Sequence, residues 1–241
     1  MTDTLLVMFV AGLLTGFSKF SVGGMGLLVL PIVMIAFPGP EALGAIVPLY
    51  LLIDILAVIS YRKNISWKVL GRFLPLAMLG VLVGSQVLSD IDPNDFITLL
   101  GVIIMAMIGL GFFLDAYPTS FMQKPWAAYS MGFAGGLISM MANAAGPIFS
   151  LFLLEQKLSK ESYVSTRAWA FFLINLAKLP MYIGIGLITP ASLTISAYAT
   201  PGLLVGALFG YHFLKRVQPN HFKWLVRLLS TIAAVKLILF P

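Results

Sequence analysis

A short pattern occurs twice in this chain, with flanking charge of opposite sign. Gly80, Gly84, Pro93, Asn94 and Phe96 recur at identical spacing as Gly206, Gly210, Pro219, Asn220 and Phe222, an internal repeat of roughly half the chain. Between the glycine pair and the Pro-Asn step, the first copy carries Asp90 and Asp92 and the second carries Lys215 and Arg216. In a membrane protein the positive-inside rule places the first of these loops outside and the second in the cytoplasm. The two halves are then inverted relative to each other, as in the alternating-access scaffolds of many secondary transporters. The competing reading is a duplicated bundle in parallel orientation, with the charge contrast accidental.

Composition puts the chain in a bilayer. Of its residues 60% are hydrophobic and only 10% charged, with a mean hydropathy of +1.00, so the apolar runs are too long and too many for one soluble core. A net charge of +6 would suggest nucleic acid in a soluble protein. Here the basic residues sit in short loops between apolar stretches, where they set orientation and meet anionic lipid, so the bilayer is the expected partner and nucleic acid is not. The absence of cysteine excludes disulfides, thiolate metal sites and thiol chemistry. No basic stretch precedes Leu5, so a cleaved signal peptide is not expected.

Apolar segments run over residues 5–17, 25–37, 42–60, 69–88, 96–114, 127–141, 146–154, 163–187, 193–214 and 222–240. Six reach the length of about 20 residues needed to cross. The four short ones form two pairs, each joined by a turn of small residues: Ser21-Val22-Gly23-Gly24 and Ala142-Asn143-Ala144-Ala145. Each pair reads as a hairpin that enters the bilayer and returns to its own side, whether it crosses fully or turns near the midplane. Basic residues mark alternate loops: Arg62, Lys63, Lys68 and Arg72; Lys124, with Asp115; Lys157 and Lys160; Lys215, Arg216, Lys223 and Arg227. The intervening loops carry no Lys or Arg. The expected fold is therefore an all-α integral membrane protein, one membrane domain over 1–241. It comprises two inverted repeats (1–115 and 125–241), each a broken-helix hairpin plus three transmembrane helices. Both termini are expected outside, and nothing in the reading opposes a homo-oligomer.

Polar groups within apolar segments are costly unless they face protein or water. Lys19 lies beside the first hairpin turn with Ser21, Gly23 and Gly24, where consecutive glycines permit positive φ and leave amide N–H groups free at the start of the next helix. Free amides, a positive helix end and an ammonium make an anion site. In the second hairpin the matching stretch is Ser139, Asn143, Gly146 and Pro147, amides without a charge. For the glycines, helix packing stands beside anion binding, as Gly12 with Gly16 and Gly132 with Gly136 suggest. A second constellation, Arg167, Phe171, Asn175, Lys178 and Tyr182, follows steps of four, four, three and four and forms one stripe on a helix. Pro180 loosens the backbone beside it. Arg167 reads equally as an interfacial anchor, whereas Lys178 lies near mid-depth. In the first repeat Asp54, one turn from Tyr50, aligns with Asn175. It is either a salt-bridge partner for Lys19 or Lys178 or a proton-coupling group. His212, His221 and the four tryptophans (Trp67, Trp126, Trp169, Trp224) read as interfacial.

Gly12-x3-Gly16 through Ser21, Gly23, Gly24 and Pro31, the Thr166-Arg167-Ala168 step ahead of Asn175, and the doubled Gly-x3-Gly…Pro pattern together resemble the sulfite exporter TauE/SafE family of bacterial membrane proteins. The resemblance covers essentially the whole chain. It implies a multi-pass transporter of the bacterial plasma membrane for small sulfur-containing anions such as sulfite or organosulfonates. Family members carry a longer glycine run where this chain has Ser21 to Met25, and a second glycine-rich turn where it has Met141 to Ala145.

Chemistry and resemblance converge on a carrier whose partner is a small anion. Lys19, the turn residues, Asn143, Asn175, Lys178 and Arg167 are its candidate ligands, and Asp54 its candidate for proton coupling. No metal or other cofactor is called for. An anion channel, or a carrier of a non-sulfur organic anion, shares the positive pathway. An enzyme lacks any His/carboxylate cluster, HExxH motif or activated hydroxyl at depth. The chain's lack of cysteine makes its topology directly measurable. Single cysteines at Asp90 and at Lys215 are expected to react with an impermeant maleimide from opposite faces of the membrane; labelling from one face would refute inversion.

Overall fold

In the computed structural model, which describes residues 2–20, 26–117, 120–213 and, further on, 228, 231, 232, 235, 238 and 239, all regular elements among the described residues are helical. They are α1 (Thr2–Phe20), α2 (Gly26–Val33), α3 (Glu41–Ser60), α4 (Trp67–Ser89), α5 (Pro93–Ala116), a single 3-10 turn at Ser120–Gln123, α6 (Pro125–Ala142), α7 (Gly146–Glu155), α8 (Lys160–Gly184) and α9 (Pro190–Phe213). Proline opens α5, α6 and α9 and sits second in α7, positions where its missing N–H is an orphan donor in any case. Ser159 caps α8 by accepting the Ser162 N–H at 3.2 Å.

Among the described residues four helices, α3, α4, α5 and α9, are long and apolar enough to cross a membrane. On them Leu79, Leu82, Val83, Val102, Met105, Leu204, Leu208 and Phe209 are exposed, which suits a lipid-facing side. The fifth expected crossing is α8, whose 25 residues give it the length; its Arg167, Asn175 and Lys178 make it more polar than the other four. The sixth expected span, residues 222–240, lies outside the described residues except for its isolated helical positions, as does the basic loop that includes Lys215, Arg216, Lys223 and Arg227. Asp115, expected in a loop, falls inside α5, and Lys68 and Arg72 fall inside α4.

The hairpin arms are unequal. The leading arms α1 and α6 have 19 and 18 residues, but the returning arms α2 and α7 have 8 and 10. At a rise of about 1.5 Å per residue, the returning arms cover only about half of a hydrocarbon core some 30 Å thick. The apolar runs underestimated α1 because its helix continues through Ser18 and Lys19.

The chain divides into two compact units. The first comprises Met1–Ile53, Ile91–Ile108 and Gly186–Pro241, the second Asp54–Asp90 and Gly109–Ile185. In the first, α1 packs along α9. A methyl group at Gly12 would strike the Ala199 carbonyl oxygen, one at Gly16 that of Leu203, and one at Gly206 that of Leu13. The contacts advance together along both helices, so α1 and α9 run parallel at backbone-to-backbone distance. Ser196 of α9 also donates its hydroxyl to the Ala45 carbonyl of α3 at 2.7 Å.

In the second unit, α6 packs along α4 in the same way. Methyl groups at Gly132, Gly136 and Gly80 would strike the carbonyl oxygens of Phe73, Ala77 and Phe133. These are the same contacts at repeat-equivalent positions: Gly12, Leu13 and Gly16 correspond to Gly132, Phe133 and Gly136, and Phe73, Ala77 and Gly80 to Ala199, Leu203 and Gly206. The duplication therefore extends to packing register. In each unit the leading arm of one half's hairpin is docked on a helix from the other half. An aromatic cluster, Phe73 with Phe149 at 5.4 Å, Phe73 with Phe152 at 5.6 Å and Phe149 with Phe171 at 5.7 Å, joins α4, α7 and α8.

Gly136→Ala is expected to destabilise the protein by about 1–3 kcal/mol, because the new methyl meets backbone that cannot rotate away. Gly109→Ala has nothing within 4 Å of the added methyl and is expected not to destabilise. Thermal unfolding of the detergent-solubilised protein compares them; equal midpoints would remove the packing argument.

Candidate functional site

The second hairpin turn is built by the way α6 ends. The last four carbonyls of any helix lack an intrahelical donor, and within a membrane each needs another. Asn143 follows Ala142 in the left-handed conformation (φ 52°, ψ 24°) and returns its own N–H to the Ser139 carbonyl at 3.1 Å. This is the stop that asparagine tolerates better than other side-chain-bearing residues. Ala144 and Ala145, both buried, lead into Gly146 and Pro147 at the start of α7.

Helix α8 supplies the remaining donors. Lys178 is fully buried, and its ammonium donates to the Ser139 carbonyl at 3.1 Å, to the Ser139 hydroxyl at 3.2 Å and to the Asn143 side-chain oxygen. One turn on, the Tyr182 hydroxyl donates to the Met140 carbonyl. An ammonium carries three hydrogens, and here three protein oxygens receive them at the negative end of the α6 dipole. That surrounding offsets the cost of burying the charge. The Asn143 amide is used on one side only: its oxygen receives Lys178, while its Nδ2 is buried without a hydrogen-bond partner. Beside it, a methyl group at Gly146 would meet nothing within 4 Å.

Asn175, on the same α8 stripe, donates Nδ2 to the Asp54 carboxylate at 2.5 Å. Both are buried, at 2% and 1% exposure, so the carboxylate and the amide meet away from solvent. Arg167, toward the start of α8, lies half-buried over the Phe171 ring, 5.5 Å from its centroid. Its Nε is buried without a partner, as is the Trp169 indole N–H. Trp67 and Trp169 meet edge-on at 5.3 Å, and the Ser66 N–H donates to the Thr166 hydroxyl at 2.9 Å. Thr166, expected only as part of a motif, thus fastens the loop after α3 to α8.

In the first unit, Lys19 occupies the last turn of α1. Its ammonium lies 5.6 Å from the centroid of the Tyr50 ring, close enough for a cation–π contact. Ser21, Gly23 and Gly24 lie outside the described residues. His212, near the end of α9, is exposed, with Nδ1 2.9 Å from the Leu208 carbonyl. Trp224 and His221 are outside the described residues. Among the described residues no group of three or more His, Asp or Glu is placed to hold a metal ion.

Of the expected ligands, the structure brings Asn143 and Lys178 together, with Ser139 as a further partner of Lys178, and joins Asn175 to Asp54. Sequence reasoning missed Tyr182 as a partner of α6. The available signal was its place one turn beyond Lys178 on the same stripe. Tyr182→Phe deprives the Met140 carbonyl of a side-chain donor and is expected to cost about 1–3 kcal/mol. Tyr198→Phe, at an exposed site, is expected to cost nothing measurable. Thermal unfolding of both variants decides, and an unchanged midpoint for Tyr182→Phe would show the contact to be dispensable.

Comparison with curated proteins and with solved structures gave no match. The pattern of the sulfite exporter TauE/SafE family matches residues 8–237, nearly the whole chain. With its apolar helices of spanning length and its buried polar stripe, this protein belongs to the sulfite exporter TauE/SafE family of membrane transporters.

Proposed function

We propose that this protein is a secondary carrier that exports small sulfur oxyanions, such as sulfite or an organosulfonate, across the bacterial plasma membrane by alternating access. The observation that carries the reading is the second hairpin turn. There Asn143 holds a buried N–H donor without an acceptor, on the same amide whose oxygen receives the Lys178 ammonium. A buried donor left unpaired costs free energy that an incoming oxygen atom removes. An oxyanion fits best, because its own charge makes the hydrogen bond charge-assisted, the adjacent ammonium attracts it, and the open side of Gly146 leaves room.

In this reading Asn143 and Gly146 contact the anion directly, while Lys178 sets the local potential and holds the turn. Arg167, with its unpartnered Nε, and Asn175 lie along the route on α8. Lys19 serves the first hairpin with Ser21, Gly23 and Gly24. Asp54 is the coupling carboxylate, taking and releasing a proton against its Asn175 partner. The inverted arrangement is supported by parity: each repeat holds five apolar segments in the sequence, so alternate directions reverse the second repeat. The parallel running of α1 with α9 and of α4 with α6 agrees with that count. Both termini then lie outside.

Asn143→Gly keeps a residue suited to the left-handed backbone and removes the amide. A lost hydrogen bond to a charged group, about 1.5–3 kcal/mol, corresponds to a fall of about tenfold or more in efflux. Efflux of isotopically labelled sulfite from proteoliposomes, with thiosulfate, sulfate, organosulfonates and carboxylates as competitors, measures it. Wild-type efflux by Asn143→Gly, inserted at wild-type level, would remove the site from this turn.

A further inference from the structure

We infer a second, separate binding site in the second unit: a lipid-headgroup site for a phosphate that carries a primary amine, as in phosphatidylethanolamine. A cavity of about 460 Å³ opens between the loop after α3 and the first turns of α8. Its walls carry charge of both signs. Arg62 and Lys63 come from the loop, and Glu161 and Ser165 from α8. The loop is held in place at two points: Asn64 takes a left-handed conformation (φ 61°), and the Ser66 N–H is bound by Thr166.

Among the described residues the three charges are uncommitted. Arg62, Lys63 and Glu161 line one cavity, yet none is paired with another described residue. A ligand that bridges them must present an anion and a cation. Ser165 sharpens the polarity of the α8 wall. Its hydroxyl proton goes to the Glu161 backbone carbonyl at 2.9 Å, so its oxygen is left as an acceptor on the wall that also carries Glu161. That wall takes a donor cation, while the guanidinium and ammonium opposite take a phosphate. A purely anionic headgroup is opposed by Glu161, and a quaternary ammonium has no hydrogen to donate.

The source of the ligand follows from location. The loop is one of the basic ones that the positive-inside rule assigns to the cytoplasmic face. Trp67, which opens α4 directly after Ser66, is exposed. An exposed indole there suits the headgroup level, where aromatic rings accumulate. Its edge-on contact with Trp169 ties that level to α8.

The test uses the full-length protein in phosphatidylcholine nanodiscs doped with equal amounts of phosphatidylethanolamine and phosphatidylglycerol, with retained lipid read by native mass spectrometry. Phosphatidylethanolamine is expected to be retained at least tenfold over both others. Arg62→Gln with Lys63→Gln is expected to abolish that preference. Glu161→Gln is expected to lose discrimination against phosphatidylglycerol while still retaining lipid phosphate. All these side chains are exposed, and an unchanged thermal midpoint verifies that the variants fold. Equal retention of the three lipids, or a preference that survives the double substitution, would overturn the site. Soluble phosphoethanolamine displacing the lipid at equal concentration would overturn the assignment to a lipid source.

Discussion

A helix that stops inside a packed protein exposes carbonyl groups that its own backbone cannot satisfy. The second hairpin depends on the answer to that constraint. Helix α6 ends at Ala142, and three separate donors meet its final turn: the Asn143 N–H, the Lys178 ammonium and the Tyr182 hydroxyl. Two of them come from α8, so the broken helix and the polar stripe form one construction. The same cation that fastens the hairpin also makes its turn electropositive. In the proposed carrier, anchoring and anion affinity would therefore draw on a single buried charge.

The two halves keep the same packing and diverge in chemistry. Register is preserved where glycines bring backbones into contact, since a side chain there would collide with a carbonyl whichever repeat it occupied. Charge is not preserved. The alignment that matches Gly16 with Gly136 matches Lys19 with Ser139. One half thus carries its lysine on the hairpin arm, near Tyr50. The other carries it on α8 and directs it at the arm's serine. Each hairpin is associated with one lysine delivered from a different helix. Likewise Asp54 and Asn175, aligned positions of the two repeats, are an acid and its amide in direct contact.

Much of this was legible in the sequence, for identifiable reasons. Long apolar runs can do little but span, so α3, α4, α5 and α9 emerged close to their final bounds. Helical spacing alone placed Asn175, Lys178 and Tyr182 on one face. The partners of that face were not legible, because spacing along one helix carries no information about which other helix lies opposite. The glycine pairs announced close approach without naming a neighbour, and the pairing of α1 with α9 needed coordinates. Arm lengths were misjudged where polar residues such as Ser18 and Lys19 continue a helix beyond its apolar stretch. The free side of the Asn143 amide is a property of three-dimensional surroundings and has no signature in composition.

The exchange of docking partners between the halves has a consequence for synthesis. Helices α4 and α6 lie close in the chain and can pair soon after both leave the ribosome. Helix α1 is made well before α9, the helix that its glycine face fits. Contacts this distant in sequence form late, so α1 keeps a backbone-exposing glycine face open until α9 has been inserted. Assembly of that unit is then gated by α9, and a chain cut before α9 leaves α1 without its mate.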